Sequence, residues 1–286
     1  DEGYTGAFQQ ACAVLELSDY LLAVEALHMR VLELELLKRY APGLTTTHAE
    51  PILMALRAVK EDEEIAKMER AIAIAERAME RLIPQIEMGM TEKQVAAMLT
   101  QLQLEEGADA IAFGPIVSTG PNGASPHAVP TDRRLQAGDL LVIDWGCLVE
   151  GYPSDITRTF AVGELDPELR HIYETVKLAN EQGVLASGPG ATGQDVDRAT
   201  REVIEDAGYG DYFIHRTGHG LGVEGHEPPF MMEANTEPLI PGNVFTVEPG
   251  IYLPGRGGVR IEDDIVITED GYRSLTTMTR ELITVG

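Results

Sequence analysis

Cysteine is nearly absent, with Cys12 and Cys147 alone in 286 residues. That excludes a disulfide framework and a cysteine zinc motif, and it fits a reduced, cytoplasmic compartment. Long apolar runs are missing as well. No stretch nears the roughly 18 uninterrupted apolar residues of a membrane span, and no basic-then-apolar leader opens the chain. Basic residues are few, 22 Lys and Arg against 47 Asp and Glu, for a net charge of −25. So large an acidic excess argues against nucleic acid or an anionic membrane as partner, and suits cations, metal ions included. What is present is ordinary globular composition: 44% hydrophobic residues are enough for a sizeable core in one large domain or two smaller ones.

Residues 1–59 mix helical and irregular signals. The run Leu21 to Tyr40 alternates in places and is helix-like in others, so its pattern does not decide between strand and helix. From Glu61 the pattern sharpens. Ile65, Met68, Ile72, Met79 and Leu82 recur at helical spacing with Ala75 filling the stripe, and Pro84 stops the run. A long amphipathic helix over 61–83 is expected to open a second domain, 60–286, with the Met and Ala stripe packed in its core.

That second domain contains an internal repeat. Gly89-Met90-Thr91-Glu92-Lys93-Gln94-Val95 resembles Gly190-Ala191-Thr192-Gly193-Gln194-Asp195-Val196. Each copy runs through a helical stretch to an acidic-glycine signal, at Gly107 and Gly208, and then to a His-bearing, Gly-rich loop. Each closes on an apolar strand ending in an acid, Gly138 to Gly146 in the first and Gly242 to Gly250 in the second. Two copies of one unit can pack about a pseudo-twofold axis, which brings equivalent positions together. Asp144 and Glu248 are such a pair. Two carboxylates at about 4 Å and an effective dielectric near 20 repel by about 4 kcal/mol, so a cation, a shared proton or wide separation has to remove that cost.

Two further acids repeat the layout. Asp155 follows Asp144 by eleven residues across a Gly146–Gly151 hairpin-type return, and Glu262 follows Glu248 by fourteen. His219 lies among glycines in His215-Arg216-Thr217-Gly218-His219-Gly220. Asp144, Asp155, His219, Glu248 and Glu262 form a ligand-capable set whose four negative charges are matched by two divalent ions. The donors suit Mn²⁺, Co²⁺, Zn²⁺ or Fe²⁺ without choosing among them. Two such ions are suited to hydrolysis, activating water and polarising a carbonyl. Alternation assigns Asp263 and Asp264 to outward or supporting positions.

The ordered set resembles the dinuclear metallopeptidases of the pita-bread fold, which include methionine aminopeptidase, aminopeptidase P and prolidase. Within that family, Val259-Arg260-Ile261-Glu262-Asp263-Asp264, Ser154-Asp155-Ile156-Thr157-Arg158-Thr159-Phe160, Gly225-His226-Glu227-Pro228-Pro229 and Pro121-Asn122-Gly123-Ala124-Ser125-Pro126-His127 resemble the proline-peptide branch. The resemblance implies an α+β, pseudo-twofold catalytic domain and cleavage of Xaa-Pro bonds. It also implies two divalent metals, Mn²⁺ foremost, and a homodimer. It implies that Asp144 and Asp155 bind metal, that Asp155 and Glu262 bridge the two ions, and that His219 and Glu248 each bind one. His127 is expected on the substrate or tetrahedral intermediate. His226 is expected to hydrogen-bond the substrate carbonyl or carboxylate, as an exposed imidazole able to change charge near neutrality. Glu248 is expected to shuttle a proton, and Arg260 to orient a carboxylate ligand. His28, His48, His171 and His215 are read as ordinary.

Residues 1–59 resemble the end of the family's N-terminal domain, naturally short or truncated, which bears on dimer contacts. The brief connection from Gly250 to Val259 resembles compact dipeptidases more than aminopeptidase P. Xaa-Pro dipeptidase activity is therefore the leading expectation and Xaa-Pro aminopeptidase the alternative. A non-enzymatic pita-bread binding module and a metal-free creatinase-like hydrolase are disfavoured, because all five ligands are present.

Overall fold

The computed structural model describes residues 3–286. It divides into two compact units, one ending at Leu56 and one running from Arg57 to Gly286. In the first, helices Gly3–Val14 and Val31–Tyr40 pack around Cys12, Leu37, Ala41 and Leu44 beside a parallel pair of strands, Leu21–Val24 and Thr45–His48. The undecided run at 21–40 thus holds a strand and then a helix.

The second unit opens with helix Asp62–Leu82, whose Ile65, Met68, Ile72, Ala75, Met79 and Leu82 all enter its largest apolar core. Glu61 and Glu64 close a capping box at its start. The helix clamps the strand that follows it in the core, because buried Trp145 donates from Nε1 to Ala75 O at 3.0 Å. Truncating such a Trp to Ala costs about 3–5 kcal/mol, so the strand bearing Asp144 is rigidly held.

Two larger sheets share this unit with two small ones. One has the order Thr284–Val285, Ile156–Val162, Leu140–Trp145, Ile116–Thr119. The other has the order Glu227–Met231, Gly218–Gly220, Val244–Val247, Asp263–Thr268, Gly271–Ser274. Helices Asp62–Leu82 and Glu92–Glu105 precede the first, and Pro167–Leu185 and Gly193–Asp206 precede the second. The Gly146–Gly151 return carries a short antiparallel pair, Cys147–Val149 with Tyr152–Pro153.

The repeat is visible at single-residue resolution. Gly89 and Gly190 both sit at φ +86°, and Gly138 and Gly242 at +91° and +89°, a left-handed backbone that L side chains adopt only at a cost. Thr91 and Thr192 then cap equivalent helices by the same device, accepting from Gln94 N at 3.2 Å and Asp195 N at 3.1 Å. The halves meet at an isolated antiparallel bridge between Thr157 and Glu262.

Candidate metal centre

Each half delivers acids to the same place. Asp144 lies within strand Leu140–Trp145, opposite Thr157 of the next strand, and Asp155 stands just before that strand begins. Glu248 follows strand Val244–Val247, with its N–H held by Thr217 O at 2.7 Å. Glu262 lies between Gly257–Arg260 and Asp263–Thr268. Asp144, Asp155, Glu248 and Glu262 line one cavity of about 800 Å³ together with His127, His226 and Arg260.

His219 closes the set from the strand Gly218–Gly220. Asp155, His219 and Glu262 each place a ligand-capable atom within 4.8 Å of the others, and all three are buried. The His219 ring is oriented by its Nδ1, 3.1 Å from Gly220 O. A carbonyl can only accept, so Nδ1 carries the proton and the Nε2 lone pair faces inward. It faces Asp155 Oδ2 at 3.6 Å and Glu248 Oε1 at 3.5 Å. Burial pushes the His219 pKa down to about 3, so the ring is neutral near pH 7.

The acids are only partly compensated on the protein side. Burial, reinforced by Glu262, Asp144 and other carboxylates, holds Asp155 well above the usual carboxylate range. Burial and then Glu248 and Asp144 do the same for Glu262, and burial pushes Glu248 up to about 7. Asp144 has one oxygen on Arg260 Nη2 at 2.7 Å, while its Oδ1 is buried without a hydrogen-bond partner. A lone pair and several carboxylates converging on one point, with an orphaned oxygen beside them, is a donor set that divalent cations satisfy.

The surrounding shell is engaged at most of its polar atoms, Asp264 Oδ1 being a buried exception. Thr157 Oγ1 donates to Glu262 Oε2 at 2.6 Å and accepts from Arg260 Nε at 3.1 Å. Arg260 also donates from Nη1 to Tyr252 Oη at 2.9 Å and to Pro126 O at 3.2 Å. Asp264 Oδ2 accepts from Asp155 N at 3.2 Å, and Asp263 pairs with Arg158 at 2.7 Å and Arg280 at 2.6 Å.

Of the two positions alternation allowed for Asp263 and Asp264, outward or supporting, the structure gives the supporting one: both are buried, Asp264 on the Asp155 N–H and Asp263 between Arg158 and Arg280. Two sequence expectations need correction here. His215 is not an ordinary histidine. It lines the cavity, donates from Nδ1 to Arg216 O at 2.8 Å and takes the Tyr252 hydroxyl at Nε2 at 2.9 Å. His226 is exposed as expected, but it stacks on His219 with centroids 3.8 Å apart, and burial followed by Arg216 lowers its pKa, favouring the neutral ring. Tyr252 and Arg216 were not singled out at all. The glycines flanking His219 drew attention to that residue alone, and no local pattern joins Tyr252 to residue 215.

Residues 66–269 match the model of metallopeptidase family M24. The chain is 45% identical over 234 residues to the Xaa-Pro dipeptidase of Pyrococcus furiosus, covering 82% of this chain and 67% of that protein. The solved dipeptidase from Pyrococcus horikoshii OT3 superposes with a TM-score of 0.93 at 42% identity, covering 98% of this chain and 78% of that one. The X-Pro aminopeptidase from Thermotoga maritima MSB8 gives 0.90 at 36% identity, covering 99% and 80%. The chain spans about two thirds of the length of the first curated relatives it matches. Sequence motifs, duplicated architecture and relatives agree on the pita-bread fold and its proline-peptide branch, and the chain belongs to metallopeptidase family M24.

Proposed function

We propose that this chain hydrolyses Xaa-Pro peptide bonds, dipeptides foremost, using two divalent ions held by Asp144, Asp155, His219, Glu248 and Glu262. The observation that carries the reading is the convergence of four carboxylates and the lone pair of His219 at one cavity. Relatives bearing the names Xaa-Pro dipeptidase and prolidase support the substrate class. Mn²⁺ or Co²⁺ fits an oxygen-rich set with one imidazole and no thiolate.

The bound ions supply Lewis acidity and a water acidic enough to ionise near neutrality. The protein does the rest. Glu248, on the cavity wall, accepts the proton that water loses on attacking the carbonyl carbon and returns it to the proline nitrogen as the C–N bond breaks. His127 and His226, both on the cavity wall, are the groups we assign to hydrogen-bonding the substrate as negative charge grows on its carbonyl oxygen. Arg260 fixes Asp144, and Thr157 fixes Glu262. Phe113, Leu148, Leu221, Val223 and Met232 give the cavity an apolar wall for a pyrrolidine ring, which has no N–H to satisfy.

The test is a digestion panel with Mn²⁺-reconstituted protein. Ala-Pro, Ala-Pro-Gly and a longer Xaa-Pro peptide are compared by mass spectrometry, with and without chelator. Release of proline from Ala-Pro that stops with chelator and returns with Mn²⁺ is expected. Undiminished cleavage by metal-free protein would falsify the dinuclear reading. The Thermotoga relative favours a second reading, removal of the first residue from longer peptides, and the same panel ranks the two. The reading includes a homodimer in a reduced cytoplasm, in keeping with two buried free thiols. Light scattering on the purified chain checks the oligomer.

A further inference from the structure

Among the described residues, one cation on the cavity wall makes no side-chain hydrogen bond or ion pair. Arg216 lines the cavity beside His226 and Glu248. Its guanidinium carbon lies 4.7 Å from the Phe230 ring centroid, and among the described residues that guanidinium makes no hydrogen bond or ion pair. The other cavity arginine, Arg260, has its donors committed to Asp144, Tyr252, Thr157 and Pro126. In a chain of net charge −25, a partly buried guanidinium facing an acid-lined cavity with no carboxylate of its own is unusual. Its placement is fixed. Arg216 O receives the His215 ring N–H at 2.8 Å, and Thr217 N–H is shared by Met231 O at 2.9 Å and Asp197 Oδ1 at 3.2 Å. The Phe230 face supports the planar group without using its hydrogens.

We propose that Arg216 is a specificity-determining residue that binds the free α-carboxylate of the residue following the scissile bond. This rests on the Xaa-Pro reading and deepens it. A dipeptide carries its carboxylate immediately beyond the bond that is cut. The overall acidic field repels that anion, and a permanently charged, bidentate donor at the cavity wall is the group that can hold it. In a longer peptide the same position is a neutral amide, which gains nothing from the guanidinium. Arg216 thereby turns a general Xaa-Pro site into one that favours dipeptides.

The experiment compares Ala-Pro with Ala-Pro-amide and Ala-Pro-Gly, in the wild type and in Arg216→Met and Arg216→Lys, all Mn²⁺-loaded. Wild type is expected to favour Ala-Pro over the amide by about 10–100-fold in kcat/KM, the range of a charge-assisted hydrogen bond. In Arg216→Met the ratio should fall toward one, with the loss in KM for Ala-Pro rather than in kcat. Arg216→Lys should recover part of it. An unchanged ratio in Arg216→Met, or equal losses on acid and amide, overturns the proposal. Calorimetric titration with proline and prolinamide separates it from the parent reading. If wild type cleaves no Xaa-Pro bond, that reading fails, and Arg216 is then judged by binding alone. A preference for proline that Arg216→Met abolishes sustains the anchor, and equal binding of the two removes it.

Discussion

Thr157 and Glu262 are joined twice. The Thr157 hydroxyl donates to Glu262 Oε2 at 2.6 Å, and Glu262 N–H donates to Thr157 O at 3.1 Å. The backbone bond stitches the two halves together, and the side-chain bond aims the carboxylate. Thr157→Val keeps the shape and the first bond while removing the second. It also strips an acceptor from Arg260 Nε. We expect a loss of about 10–100-fold in metal affinity, as for other groups that orient a metal ligand, read by titration calorimetry with Mn²⁺. Affinity unchanged within a factor of two would show that the hydroxyl does not aim Glu262.

Metal uptake should release protons. Burial and neighbouring carboxylates hold Asp155 and Glu262 high, and burial holds Glu248 at about 7, whereas His219 is neutral with a pKa of about 3. A raised carboxyl is still protonated where an ordinary one is ionised, and a cation binds only the ionised form. Apparent affinity therefore climbs as pH rises above the ordinary carboxylate range, and is still climbing through about 7, where Glu248 ionises. Calorimetry at about pH 6 in two buffers of different ionisation enthalpy counts the protons. Zero release there would mean the acids are already ionised.

Lys60 and Glu227 form a buried ion pair at 2.5 Å, with side chains 1% and 0% exposed. It ties the segment entering the long helix to the residue after His226. Lys60→Met leaves a buried carboxylate without its counter-ion and should cost about 3–5 kcal/mol, while Lys60→Met with Glu227→Leu should regain most of that. Urea melts of the single and double variants measure the difference. A double variant no better than the single would mean the pair is not what carries the penalty.

Gly89 and Gly190 share one backbone angle, and nothing lies within 4 Å of a Cβ built on either. Alanine at each position therefore tests conformation without steric clash. Each substitution should cost about 1–2 kcal/mol, the price of a left-handed L-residue, with similar values at the two sites. A large disparity in denaturation midpoints would mean the two turns are not mechanically equivalent.

Much of this was legible in the sequence because it is local or repeated. The stripe from Ile65 to Leu82 defined a helix at 61–83, observed at Asp62–Leu82. The repeat put a helical stretch after each of its two openings, observed at Glu92–Glu105 and Gly193–Asp206. What escaped depends on distant partners. Leu21–Val24 is a strand because Thr45–His48 pairs with it in parallel, which no window over 21–40 contains. Alternation left Asp263 and Asp264 between outward and supporting positions, because what makes the burial of Asp263 tolerable is a pair of arginines 105 and 17 residues away. Tyr252 links His215 to Arg260 across 37 and 8 positions, a relay that appears only when the hairpin Gly250–Leu253 with Gly257–Arg260 folds over the cavity.

Neither half of the duplicated unit owns a complete donor set. Asp144 and Asp155 come from one, and His219, Glu248 and Glu262 from the other, each in a strand or next to one. A nick in the exposed turn around Glu164, between the last long strand of the first half and the helix that opens the second, would give two pieces that are each mute toward divalent ions. Reassembly of such pieces would be announced by the cation itself, so the duplication makes ion capture a reporter of correct docking between the halves.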